Sequence, residues 1–297
     1  MTAISTRAAT ARTRRRRRGR VRRVTPGIIV SYVLAILYAL ALVLPLYWLL
    51  ISAFKSRIET VSRPFTPTFS SGIGHFRDVW SLLDLGTALL NSLYITAVAL
   101  ALTLVIAVPA AYALARAGGR VATAVERLYA LGFLIPGFAA LVPTLLLAIK
   151  LDMFNTREFM ILYLPGSAQP LAVILLTQFM RTVPPALEET AMMDGAGRLR
   201  ILLRVYLPLI VPGIATVAIL NFISYWNDYL YTLVIVGVDP GLRTVQVALP
   251  TLLGNQSITD YGLLCAGTVI SVLPVFLVYA VLNRRMENAL VQGAIKG

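Results

Sequence analysis

Residues 91–116 read NSLYITAVALALTLVIAVPAAYALAR. No charged side chain interrupts the run before Arg116, and small and β-branched residues alternate with leucines along it. A bilayer core about 30 Å thick requires roughly 20 such residues in one helix. This stretch therefore predicts a membrane span, and the rest of the chain repeats its character. Residues 28–52, 208–236 and 262–282 form similar runs, and 128–149 and 159–180 are apolar but interrupted by Pro136-Gly137, Pro143, Pro165-Gly166 and Pro170. Such breakers are tolerated where neighbouring helices or cavity water satisfy the freed backbone groups. With 58% hydrophobic residues, 13% charged and a mean hydropathy of +0.78 over 297 residues, the expected fold is an all-α integral membrane protein with six transmembrane helices. The fourth span is expected to be the most disrupted, cut at Pro165-Gly166-Ser167.

The net charge of +14 comes largely from position. Ten arginines precede residue 28, in a basic tail whose composition predicts disorder. With six spans, Arg116, Arg120, Arg127, Arg181, Arg198, Arg200, Arg204, Arg284, Arg285 and Lys296 fall on the same side as that tail. The other side holds Lys55, Arg57, Arg63, Arg77, Lys150, Arg157 and Arg243. The positive-inside rule then places both termini in the cytoplasm. Three parts follow: the tail at 1–27, a six-span domain at 28–283 and a cytoplasmic C-terminal tail at 284–297. The apolar stretch after the tail is too long for a cleaved signal peptide.

Cys265 and His75 are the single residues of their kinds. No intrachain disulfide and no Cys/His metal cluster can form from them. His75 sits in an outside loop and is expected to be an ordinary surface histidine. The sequence holds no G-x-x-x-x-G-K-[ST] loop, so any ATP and magnesium would be bound on another chain, with no catalytic or metal-binding residue expected in this one.

The long connector at 181–207 is the most informative polar segment. In PPALEETAMMD (184–194), Pro185 suits the first helical position, and Glu188 and Glu189 suit the positive end of the helix dipole. Leu187, Ala191 and Asp194 share a face, which Met192 and Met193 broaden. Gly195 ends the helix by supplying positive φ, and Ala196 and Gly197 complete a bend. RLRILLRVY (198–206) resumes helical spacing and runs into Leu207-Pro208. Two short helices with exposed apolar residues and a charged rim describe a protein-docking surface, or an elbow lying on the membrane.

Glu189-Thr190-Ala191, three residues, Gly195, nine residues, then Val205-Tyr206-Leu207-Pro208 resembles the EAA loop of bacterial ABC importer permeases, departing from it at Thr190 and Val205. SAFKSRIET (52–60), the run at 91–116, SYWNDYL (224–230) and VQGAIKG (291–297) are similar to the carbohydrate-uptake branch, its MalG-like inner-membrane subunit. The resemblance implies a type I importer permease fold. It also implies half of a sugar channel, paired with a MalF-like second permease, two ABC ATPase subunits and an extracytoplasmic sugar-binding protein. By that resemblance Glu188, Glu189, Ala191, Met192, Asp194, Gly195, Ala196, Leu207 and Pro208 form the ATPase-coupling segment. Gln292, Gly293 and Lys296 would reach the ATPases from the C-terminal tail.

In the fifth run, Asn221, Tyr225, Asp228 and Thr232 recur at helical spacing, with Trp226 and Asn227 among them. A carboxylate within a span usually faces a wet interior, and amides, hydroxyls and aromatic faces suit sugars. Asn221, Tyr225, Trp226, Asn227, Asp228 and, in the broken fourth run, Gln169 are therefore candidates for lining a substrate pathway. A helix–helix polar contact or an interfacial aromatic belt is the alternative. Two other functions remain open at this stage: an ABC permease for a non-sugar solute, and a membrane-embedded transferase using Glu188 and Glu189.

Overall fold

The computed structural model describes the backbone of residues 26–254 and 260–294, and side chains at 27–254 and 260–281. The basic tail up to residue 25 and Lys296 lie outside the described residues, and of Gln292 and Gly293 only the backbone is described. The chain forms two units, one ending at Tyr47 and the other beginning at Trp48. The first is most of helix α1 (Pro26–Ser52), apolar all round with Pro45 inside it, the composition of a helix surrounded by lipid.

The second unit opens with the end of α1 and then a loop carrying α2 (Arg57–Ser62) and α3 (Gly74–Leu82). The loop is tied down from within. Lys55 is completely buried and its Nζ donates to the carbonyls of Arg63 and Pro64, each at 2.8 Å. Burial holds its pKa below the ordinary lysine value. Glu59 accepts from Ser70, Ser56 (3.1 Å) and Thr68 (3.4 Å) through the same carboxylate oxygen. These bonds, Ser70 foremost, lower the pKa of Glu59. A carboxylate with a lowered folded pKa contributes stability that is present above its unfolded pKa and lost as pH falls through the folded one. Limited proteolysis within residues 53–73 should therefore be slow at neutral pH and accelerate below about pH 4.5. Glu59→Gln should remove most of that dependence, and an unchanged pH profile would mean the cluster does not hold the loop.

His75, expected at the surface, is buried on α3. The reason is Gly262, where a Cβ would lie 2.5 Å from His75 Cε1, so the missing side chain makes room for the ring. Asp260 Oδ2 lies 3.8 Å from its Nε2.

Five more long elements follow. Helix α4 (Leu85–Arg116) is unbroken through Pro109, while α5 (Gly119–Phe133) and α6 (Leu141–Lys150) meet at 91° across Pro136. Helix α7 (Arg157–Arg181) passes both Pro165 and Pro170 without breaking. The expected interruption of the fourth span is thus corrected: the third run is broken and the fourth is continuous. Pro136 takes extended backbone (φ −63°, ψ 124°) after α5 has ended at Phe133, with its φ fixed by the ring. The carbonyls left without a helix amide by Pro165 and Pro170 are those of Ile161 and Gly166, four residues earlier, while the carbonyl of Leu164 accepts from Ser167 Oγ and Tyr225 Oη and ties this part of α7 to its neighbour.

After the connector, α8 (Pro185–Met193), α9 (Arg198–Ile201), a π-helical turn at 202–206 and α10 (Leu207–Leu209) lead to α11 (Val211–Trp226). The chain turns by 78° at Ile210, where Pro208 and Pro212 remove amide donors. The fifth run does not continue as one helix: it stops at Asn227 and restarts as α12 (Leu230–Ile235). The apolar stretch at 245–254 folds as α13 (Val245–Ala248) and α14 (Thr251–Gly254), with Val245, Val247, Ala248 and Leu252 buried. The last helix, α15 (Tyr261–Ala294), is apolar to Val281. By length and composition four helices can cross a membrane, or six if each bent pair is one span. Among the described residues there is no strand.

Helices α4 and α7 form the centre of the second unit. Ala88, Ala99, Ala107 and Ala111 on α4 and Ala172 on α7 are fully buried, and small residues of this kind let helices in lipid approach closely. A cluster around Tyr112, Leu176, Met180, Ile201 and Tyr206 continues directly into the connector.

Candidate functional site

The connector closes α8 with a specific device. Gly195 has φ +76°, its amide donates to Met192 O at 3.0 Å, and the amide of Ala196 donates to Ala191 O at 3.0 Å. These are the two bonds of a Schellman motif, with glycine in the left-handed position. Ala191 and Ala196 both pack against the cluster around Tyr112 and Tyr206, the kind of apolar contact that accompanies such caps. Pro184 and Pro185 start the helix and Asp194 caps its end. Leu187, Glu189, Met192, Met193 and Asp194 are exposed, Met193 by 88%. The result is a short, sharply ended helix that offers apolar side chains beside carboxylates.

Glu188 departs from that pattern. It was expected on the outer rim with Glu189, yet its carboxylate is buried inside the chain. Tyr112 Oη donates to Glu188 Oε1 at 2.8 Å and Tyr206 Oη donates to Oε2 at 2.7 Å. Arg116 Nε lies 3.0 Å from the same Oε2, and Arg116 Nη2 donates to Val183 O at 2.7 Å. The guanidinium also sits 5.0 Å from the Tyr206 ring centre, and that ring meets Tyr112 edge-on at 4.9 Å. One carboxylate thus joins α8 to the end of α4 and to the π-helical turn, and Arg116 adds the turn before α8. Removing one member of a buried, hydrogen-bonded charge pair costs about 3–5 kcal/mol. Tyr112, Arg116 and Tyr206 were not among the residues singled out from sequence. The available signal was the i,i+4 spacing of Tyr112 and Arg116 at the end of a span, which places both on one face.

An open cleft of about 560 Å³ lies beside this group, bounded by Ala113 and Ala117 of α4, Met192 of α8, and Arg198, Leu199 and Leu202. Leu207 is half-buried and Pro208 exposed; both belong to the entry into α11 rather than to the exposed surface of α8.

The outer-half residues divide differently from their sequence grouping. Tyr225 is buried, with its hydroxyl 2.7 Å from Thr103 Oγ1. Trp226 is buried and donates to Ser271 O at 3.1 Å. Asn221 is buried and donates to Val217 O in its own helix. Asp228 Oδ1 accepts from the amide and hydroxyl of Thr232, at 2.9 and 2.8 Å, and so ties the segment before α12 to its first turn. Because the helix ends at Trp226, Thr232 does not share a face with Asn221 and Tyr225. Gln169 is half-buried and donates to Thr103 O at 3.3 Å. Of the candidates only Asn227 is exposed, next to exposed Ser224, and its Oδ1 accepts from Gln246 Nε2 at 3.2 Å. Gln246, brought in by α13, was not predicted.

Among the described residues no three His, Cys, Asp or Glu side chains are placed to share a metal ion. Glu188 is engaged by two tyrosines and an arginine, which leaves nothing for the paired-acid chemistry of a transferase.

A protein family described as the inner membrane component of binding-protein-dependent transport systems matches residues 104–290. The diacetylchitobiose uptake system permease protein NgcG of Streptomyces coelicolor is 32% identical over 268 residues, covering 90% of this chain and 88% of its own length. The melibiose/raffinose/stachyose import permease protein MelC of Bacillus subtilis is 29% identical, over 92% of this chain and 98% of its length. A crystal structure of a bacterial ABC transporter importing the acidic polysaccharide alginate superposes with a TM-score of 0.74 at 24% identity, over 86% of this chain and 95% of that one.

Proposed function

Because this chain belongs to the family of inner membrane components of binding-protein-dependent transport systems, we propose that it forms half of an oligosaccharide pathway and converts ATPase movements into opening of that pathway. It is a transport subunit of an ABC sugar importer, not an enzyme. Its partners on this reading are a second, MalF-like permease, two ATPase chains that hold ATP and magnesium, and an extracytoplasmic sugar-binding protein. Both termini lie in the cytoplasm. The single observation that carries the coupling assignment is α8, a proline-started, Schellman-ended helix with Leu187, Met192 and Met193 exposed. Coupling requires an element whose position both sites bias, and a short helix joined through α9 and the π-helical turn to α11 supplies one.

The test is co-purification and uptake. Expressed with its neighbouring permease and an ATPase chain, the protein should purify as a complex that takes up labelled oligosaccharide only with ATP and the binding protein. Stable purification without an ATPase, or uptake independent of it, would overturn the assignment.

Exposure also revises which residues meet the cargo. Asn227 and Ser224 replace Tyr225 and Trp226 as pathway candidates, and Asn227→Ala should weaken the apparent affinity of uptake by about 5- to 10-fold, the loss of one or two neutral hydrogen bonds. Tyr225→Phe should instead leave affinity alone and lower the amount of folded protein. Equal effects of the two on affinity would return Tyr225 to the pathway.

A further inference from the structure

We infer that Glu188 is a positioning residue that fastens α8 to the cytoplasmic end of α4, so that α8, the π-helical turn and α4 move as one body. The inference rests on the coupling role proposed above and adds a second route out of α8. The obvious connection is along the chain, through α9 and the π-helical turn into α11. The side-chain connection is shorter. The carboxylate of Glu188 reaches back across to Tyr112, 76 residues earlier, and to Arg116 at the end of the same helix.

The geometry favours a fastening over a docking role for this residue. Both carboxylate oxygens are used internally, one by Tyr112 and one by Tyr206 and Arg116. Its neighbour Glu189 is exposed and makes none of these contacts. Beside the carboxylate, the cleft among α4, α8 and α9 leaves the backbones apart, so their relative position there is set by side chains. Arg116 adds a second point by holding Val183 O, the carbonyl just before α8 begins. Two attachments fix an orientation where one fixes only a distance. Displacement of α8 by a docked ATPase is then passed to α4, and α4 is packed along α7 at the centre of the unit.

The experiment compares the assembled importer carrying wild-type chain, Glu188→Gln, Glu189→Gln, and the pair Tyr112→Phe with Tyr206→Phe, in proteoliposomes with ATP and saturating binding protein. Glu188→Gln and the double tyrosine variant should keep the ATPase bound and hydrolysing, while uptake per ATP falls about tenfold or more, within the range of an inter-site coupling energy. Glu189→Gln should instead weaken ATPase co-purification. Adding the tyrosine changes to Glu188→Gln should cause no further loss, because all three act through one contact. Wild-type uptake per ATP in either variant overturns the inference. If Glu188→Gln does not assemble, the double tyrosine variant, which keeps both rings and the charge, decides. Failure of the wild-type chain itself to assemble with an ATPase is the separate result that would remove the underlying function.

Discussion

A Gly195→Asp chain should insert and assemble yet take up sugar at no more than about a tenth of the wild-type rate, a loss within the range of inter-site coupling energies. Gly195 is at φ +76°, where an L-residue with a side chain costs about 1–2 kcal/mol, aspartate and asparagine least. A Cβ built there meets nothing within 4 Å, so the carboxylate of the variant would project from the end of α8 into open space beside Met192 and Met193. That space is where the proposed ATPase surface sits. If strain were the cause, Gly195→Ala would be at least as damaging as Gly195→Asp. If docking is the cause, alanine is the milder change. Uptake assays on both variants, matched for expression, give the order. Wild-type uptake by Gly195→Asp would remove the α8 turn from coupling.

The second large effect is on folding. Gly213→Val should abolish stable permease, because a Cβ at 213 would lie 2.4 Å from Phe179 Cγ and 2.9 Å from Phe179 Cβ. Rotating the phenylalanine cannot relieve a contact with its own Cβ, so α7 and α11 must separate. Overpacking costs of about 1–3 kcal/mol apply even to smaller insertions, which predicts a graded loss for Gly213→Ala. Gly166→Ala is the control, a helical glycine with an empty surrounding that should be neutral or slightly stabilising. Size-exclusion profiles after a heat step report all three. A monodisperse, thermally unchanged Gly213→Val protein would mean that the close approach of α7 and α11 is not needed.

The spans were legible because hydropathy has few alternatives in lipid: an apolar run of such length must satisfy its backbone internally, and a helix does so. Their breaks were less legible. Pro165 and Pro170 sit inside an intact helix while Pro136 ends one, and proline alone does not distinguish these cases without the partners of the freed carbonyls. The turn at Gly195 could be read because a Schellman cap is local in sequence. Glu188 could not, since Tyr112 and Arg116 are far away along the chain and adjacent acids at a helix start look equivalent. The outer polar series failed for a related reason. Periodicity assumed one helix through Asn227, whereas α11 ends at Trp226 and α12 begins at Leu230, with Asp228 bonded to Thr232 across the break.

The 78° turn at Ile210 has a mechanical meaning. Residues 198–209 form an arm of about 18 Å at 1.5 Å per residue, set nearly crosswise to α11. A push along the axis of a straight helix only translates it. The same push at the free end of a crosswise arm produces torque, and a rotation of about 10° about the elbow corresponds to ~3 Å of travel at the tip for an arm of that length. The elbow therefore sets a gearing ratio: small angular changes in the span and ångström-scale strokes at α8 are two ends of one motion.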